Sequence, residues 1–252
     1  MKKEDGTSSL RKAIRVLKCF SEDKQRLSMT EIAQGLGLPA GTASRILNAL
    51  VEENFLERNE RTKLYQLGVY CLRMGKIAEA SDALRVMALP FMERLRDRFN
   101  ETVNMYIRKG KLRVCYAQCE TTSPLKRSVP LGSVFSLAAG AAGRCLLAWA
   151  SSDFIFEVIE ELQPFTENTI MERKRIMEAL EETRRNLYSV SYAERERGVV
   201  AVAVPIFGSP GVPCASISIA GPDVRFTPET VADMIHALKT VSFELSNILC
   251  GT

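Results

Sequence analysis

Histidine is almost missing from this chain: there is one, His236, and one tryptophan, Trp149, in 252 residues. With a single imidazole, a histidine-based metal site or a Cys–His or Ser–His nucleophile pair would have to use His236. It sits among Met234, Ile235 and Leu238, in a context that reads as packing. No run approaches the ~18 consecutive apolar residues of a membrane span. The opening MKKEDGTSSLRKAIRV is too polar for a secretory signal, so a cytoplasmic protein is expected. The seven cysteines are odd in number and scattered, which fits reduced thiols better than a disulfide framework. Cys115 and Cys119, four apart on an expected strand, should share a face, yet no further ligands cluster there to complete a zinc site. No metal and no cofactor are expected.

What is present is ordinary for a chain that buries a core: 46% hydrophobic, 25% charged and a net charge of +4. The length favours two domains. Residues 1–68 hold 12 Lys+Arg against 9 Asp+Glu, so +3 of the excess lies in the first quarter, compatible with phosphate contacts.

The stretch LSMTEIAQGLGLPAGTASRILNAL compresses two short helical patterns around a glycine corner. Before it, residues 9–20 repeat apolar side chains at Leu10, Ala13, Ile14, Leu17 and Phe20, a helix expected to bury that stripe. Ser28 and Glu31 form a capping box. Ile32, Ala33 and Leu36 supply the buried stripe, Gly35 and Gly37 a sharp stop, and Pro39 the next helix entry. Ala43, Ile46, Leu47, Leu50 and Val51 should face inward, leaving Thr42, Ser44, Arg45 and Asn48 outside. Two extended runs, 55–58 and 64–67, flank a charged turn and complete a winged helix-turn-helix.

Residues 69–80 read as a connecting helix, with Ser81 and Asp82 capping another that runs to Phe99. Period-two runs at 103–108 and 112–119 form a hairpin, and 125–129 is a further candidate strand. Residues 138–150 form a small-residue helix, and 172–186 an amphipathic one. A second hairpin, 199–207 and 212–220, turns at GSPG, and Thr227 with Pro228 starts the last helix. The fold class is therefore α+β.

The segments SSLRKAIRVLKCF, LSMTEIAQGLGLPAGTASRILNALVEENFLERN and YQLG, in that order, resemble the start of the isocitrate lyase regulator (IclR) family of bacterial transcription factors. GSVFSLAAGAAGRCLLAW and AERERGVVAVAVPIFGSPGVPCASISIAGP resemble its second half, so the similarity spans residues 9–249. The resemblance implies a winged helix over 1–69, a linker helix over 70–81 and a GAF-like α/β effector-binding domain over 82–252. It implies operator DNA as partner, self-association to a dimer or a dimer of dimers, and a small organic or aromatic acid as effector, most often with repression.

For DNA, Arg45 suits guanine or phosphate and Asn48 adenine edges. Thr42 and Ser44 suit phosphate, Ser28 and Thr30 the backbone, and Arg58, Arg61 and Lys63 the wing contacts. Relatives carry polar residues where this chain has Ala40 and Gly41. For the effector, the SLAAGAAG helix start exposes backbone amides to a carboxylate. The resemblance places Ala141 and Ala142 against the ligand, Phe135 and Ser136 at the covering loop, and Ser191, Ala201, Ser218 and Ala220 around the cavity. Relatives have Pro and His at positions 136 and 138, and polar groups at 201 and 220. The floor should then favour an apolar or aromatic body bearing one carboxylate. Glu194 serves either the fold or the ligand. The rival readings are an enzyme built on His236 and a GAF-like signalling sensor that binds no DNA.

Overall fold

The computed structural model describes residues 6–21, 23–80 and 82–251. They divide into two compact units, Met1–Asp82 and Ala83–Thr252. The first contains α1 (Gly6–Leu17), α2 (Met29–Leu36), α3 (Ala40–Glu52), the wing strands β1 (Leu56–Arg58) and β2 (Tyr65–Leu67), and α4 (Val69–Ala80). The connecting helix thus falls inside this unit.

Local chemistry sets its corners. The Ser28 hydroxyl accepts the Glu31 amide at 3.2 Å, and the Glu31 carboxylate accepts the Ser28 amide at 2.7 Å, the reciprocal cap expected of this pair. The helix ends on Gly37 at φ +62°, a left-handed position that costs glycine nothing. Val16, Leu27, Ile32, Leu47, Leu56 and Tyr65 form one buried cluster beneath the three helices and the wing. The expected α1 stripe is only partly right. Val16 is fully buried, whereas Leu10 and Ile14 stay 61% and 45% exposed, because α1 turns its Val16 side to the cluster.

The second unit is a six-stranded antiparallel sheet in the order β5-β4-β3-β8-β7-β6. Its strands are β3 (Thr102–Lys109), β4 (Leu112–Cys119), β5 (Val134–Ser136), β6 (Ser189–Tyr192), β7 (Val199–Ser209) and β8 (Val212–Pro222). The candidate strand at 125–129 is not formed; the edge of the sheet is β5 instead. Helices α5 (Ala83–Phe99) and α9 (Pro228–Cys250) cover one face around Met105, Val202, Val204, Ile217 and Ile219. Helices α6 (Ala141–Leu147), α7 (Ser152–Glu160) and α8 (Arg173–Asn186) cover the other around Tyr106, Leu146, Leu147, Ile155 and Leu180. The cap residue Ser81 lies outside the described residues. Among those described, no helix is long and apolar enough to cross a membrane.

One irregularity decides what faces the α6 layer. Met105 pairs with Ala117 but Tyr106 pairs with Cys115, so Tyr116 is bulged out of register. Cys119 and Ala117 therefore join the α5/α9 layer, while Cys115 joins the α6 layer. The expectation that Cys115 and Cys119 share a face fails here, because alternation resets at the bulge.

Leu47 is 0% exposed at the centre of the small first unit. Leu47→Ala should cost about 2–5 kcal/mol, read as a lowered urea midpoint for the helical signal of that unit; an unchanged midpoint would contradict the packing described.

Candidate functional site

The first unit leaves several of its polar residues on the surface. On α3, Ala43 and Leu47 are buried, Ile46, Leu50 and Val51 half-buried, and Arg45 and Asn48 exposed. Thr42 and Ser44 are half-buried at its start. On the wing Arg58, Arg61 and Lys63 are all exposed; Arg58 lies 5.6 Å from the Tyr65 ring, and Lys63 pairs with Glu60 at 2.9 Å. The wing turn is held by the Asn59 side chain, which accepts the Arg61 and Thr62 amides. Thr30 is exposed, but the Ser28 hydroxyl is committed to the cap: it accepts one bond and donates to Glu31 at 2.7 Å. That leaves Ser28 little to offer a phosphate.

In the second unit a small cavity of about 40 Å³ opens between the α6 start and the sheet. Ala141, Ala142, Ser191, Ala201, Ser218 and Ala220 line it together. Phe135 and Ser136 stand beside it. The Ser136 hydroxyl accepts the Ala138 amide at 3.2 Å, which turns it to the loop, and Phe135 lies behind the arginines.

Those arginines are what the sequence reading missed. Arg113 on β4, Arg127 and Arg195 line the cavity with Tyr106. Arg113 is 3% exposed and donates to the carbonyls of Ala139 at 2.7 Å and Ser136 at 3.3 Å. A Cβ on Gly143 would stand 2.3 Å from its Nη1 and from the Leu137 carbonyl, so glycine is what lets the guanidinium pass. The Arg113 guanidinium lies 5.2 Å from the Tyr106 ring centre and 5.6 Å from that of Phe135. Arg195 lies 3.9 Å from Phe135 and 5.3 Å from Phe165. Cations and rings thus alternate from Phe165 to Tyr106. Burial, then the neighbouring Arg195 charge, pushes Arg113 down to about 9. Burial and Arg127 push Arg195 down to about 10. One signal was available: Arg113 is the only charged residue in strand β4, two residues from a cysteine.

The cavity wall is fixed by a buried ion pair. Arg144 donates from Nη1 to both carboxylate oxygens of Glu194, at 2.8 and 2.7 Å. It also donates from Nε to the Ser189 hydroxyl at 2.8 Å and from Nη2 to the Val190 carbonyl at 2.6 Å. Glu194 accepts the Gly140 amide at 3.0 Å as well, tying the loop to the α6 start. Glu194 thus stands at the cavity with its carboxylate bonded to Arg144 and Gly140.

His236 is exposed on α9, across the sheet from the cavity. Among the described residues no group of His, Cys, Asp or Glu could hold a metal ion.

A helix presenting exposed polar residues beside a charged wing, followed by a separate sheet domain with a cation-lined cavity, defines a winged helix-turn-helix protein with a second, α/β unit. The family profile described as Bacterial transcriptional regulator IclR C-terminal matches residues 74–247, and the IclR helix-turn-helix domain matches 9–60. The chain belongs to the IclR family of transcriptional regulators. It is 28% identical over 248 residues to the HTH-type transcriptional repressor AllR of Escherichia coli K12, covering 98% of this chain and 92% of that one. The IclR regulator of Alicyclobacillus acidocaldarius superposes with a TM-score of 0.89 at 26% identity, covering 96% and 98% of the two chains. An IclR homologue of Microbacterium hydrocarbonoxydans, solved with 4-hydroxybenzoate, has a TM-score of 0.84 at 23% identity over 97% and 100%, a likeness of fold.

Breaking one side of the buried pair strands the other charge. Glu194→Gln should destabilise the second unit by about 3 kcal/mol or more, seen as a lowered urea midpoint. Burial pushes the thiol of Cys145 up to about 12 and that of Cys115 up to about 11. At pH 8 iodoacetamide should therefore label exposed Cys250 and leave both others intact, as peptide mass mapping would show.

Proposed function

We propose that the protein represses transcription by binding operator DNA through α3 and the wing, and that a small carboxylate in the second-unit cavity changes its DNA affinity. The observation that carries the DNA half is the placement of Arg45 and Asn48, exposed on a helix whose opposite side, Ala43 and Leu47, is buried. Arg45 and Asn48 read base edges; Thr42, Ser44 and Thr30 meet phosphates, as do Arg58, Arg61 and Lys63. Two copies in a dimer, or four in a dimer of dimers, meet half-sites about one helical turn apart.

The effector half is supported by the cavity. Ala141, Ala142 and Ala201 keep side chains out of it while guanidinium groups line its wall, an environment for an acid. A protein of the same fold holds 4-hydroxybenzoate. As it stands the cavity admits a short acid; a ring would require Phe135 and Arg195 to swing aside. The ligand acts only through unequal affinity for the DNA-competent and incompetent arrangements. An enzyme reading has little to build on: His236 stands away from the cavity, and the relatives are regulators.

The test is operator binding across a salt series. Affinity should fall steeply as salt rises, and Arg45→Ala should weaken binding by roughly tenfold to a hundredfold, the worth of about 1–3 kcal/mol for one base contact. Unchanged affinity in that variant would remove α3 from the interface. Ala142→Phe should abolish the effector response and spare DNA binding.

A further inference from the structure

Five buried side-chain nitrogen or oxygen atoms have no hydrogen-bond partner among the described residues, and all five are nitrogens. Three are Arg113 Nε, Arg127 Nη1 and Arg195 Nε, on the three arginines of the cavity. A fourth, Asn104 Nδ2, belongs to the residue paired across the strands with Ser218 of the cavity floor. Buried donors left unpaired are costly, so a concentration of them around one space marks a missing acceptor.

The charges point the same way. Two carboxylates stand at the cavity, Glu194 and Glu196. Glu194 is taken by Arg144 at 2.7 Å, and Glu196 by Arg127 at 3.3 Å. Among the described residues Arg113 and Arg195 are in no ion pair, although Arg113 is 3% exposed. Two guanidinium charges, both packed on the Phe135 ring, are therefore without an anion. A guanidinium is a planar fork that matches one carboxylate with two parallel bonds.

Resting on the reading of this cavity as the effector site, we infer that the effector is a dicarboxylate of two to four carbons, with one carboxylate on Arg113 and the other on Arg195. The size limit follows from the small free space of about 40 Å³ between the α6 start and the sheet. Arg127 supplies a further donor. The alanines at positions 201 and 220 leave the middle of the ligand without a polar partner, which suits a short methylene chain.

The experiment titrates full-length protein with oxalate, malonate and succinate, and with acetate, propanoate, benzoate and inorganic phosphate, by calorimetry at constant ionic strength. At least one dicarboxylate should bind ten times or more tightly than every monocarboxylate. Arg195→Gln should remove that preference, leaving monocarboxylate binding within about twofold; one charged hydrogen-bonding partner is worth about tenfold to a hundredfold. Circular dichroism confirms that the variant is folded, and Arg127→Gln provides a second variant should it not be. Equal binding of mono- and dicarboxylates, phosphate binding more tightly than any dicarboxylate, or an unchanged preference in a folded variant would overturn the inference. Operator binding is measured alongside. A dicarboxylate that binds with the stated preference but leaves DNA affinity unchanged supports the ligand assignment and refutes the regulatory role of the cavity. Release of DNA by a monocarboxylate alone refutes the ligand assignment and leaves regulation standing.

Discussion

The second unit depends on a contact between two charges removed from water. Arg144 and Glu194 are 3% and 6% exposed. Stripping their hydration costs several kcal/mol for each ion, and their mutual attraction offsets that only when the remaining donors and acceptors are also matched. Here they are: the guanidinium reaches the carboxylate, the Ser189 hydroxyl and the Val190 carbonyl, and the carboxylate takes the Gly140 amide in addition. What the pair secures is placement. It holds the loop carrying Arg195 and Glu196 against the start of α6, with Thr169 bonded to the Glu194 carbonyl and Thr166 to that of Ala193.

Around that contact the sheet separates two apolar layers with different duties. The α5/α9 side is a continuous core built mostly of Met, Val, Ile and Leu. The α6 side trades part of its hydrophobic packing for small residues, Ala138, Ala139, Ala141 and Ala142, and admits long cationic side chains between them. Close approach of α6 to β7 and β8 is the physical reason for those small residues, and the Ser216 hydroxyl bonded to the Ala142 carbonyl at 3.0 Å fastens the helix down. The same smallness that lets the helix sit low leaves space at its end.

Local signals were legible in the sequence where a few neighbouring residues decide the outcome. Ser28 with Glu31, Gly37, and Thr227 with Pro228 each announce a helix end, because capping is chemistry within one turn. The buried side of α3 followed from its spacing. The stripe on α1 was less faithful: Leu10 and Ile14 have the right period but point away from Val16, and period alone does not choose between two apolar sides. Strand β5 and the short helix α7 were not found, since three residues and nine residues of mixed pattern carry little periodic information. The alanine and serine positions that line the cavity came from family likeness rather than from any local pattern. The arginines were not: a lone arginine on a strand reads as a solvated side chain, and what buries Arg113 is a register change and a glycine thirty residues away in the chain.

The bulge at Tyr116 also makes the hairpin intolerant of error in one direction. Deleting that residue would leave Tyr106 opposite Cys115 but would remove the Tyr116 side chain packed against the α5/α9 layer. Straightening the ladder without a deletion would swing Arg113 into the hydrocarbon beneath α5 and α9, a placement so unfavourable that it closes off the competing registration during assembly. One residue more between positions 113 and 115 would turn the Arg113 side chain from the α6 layer to the α5/α9 layer.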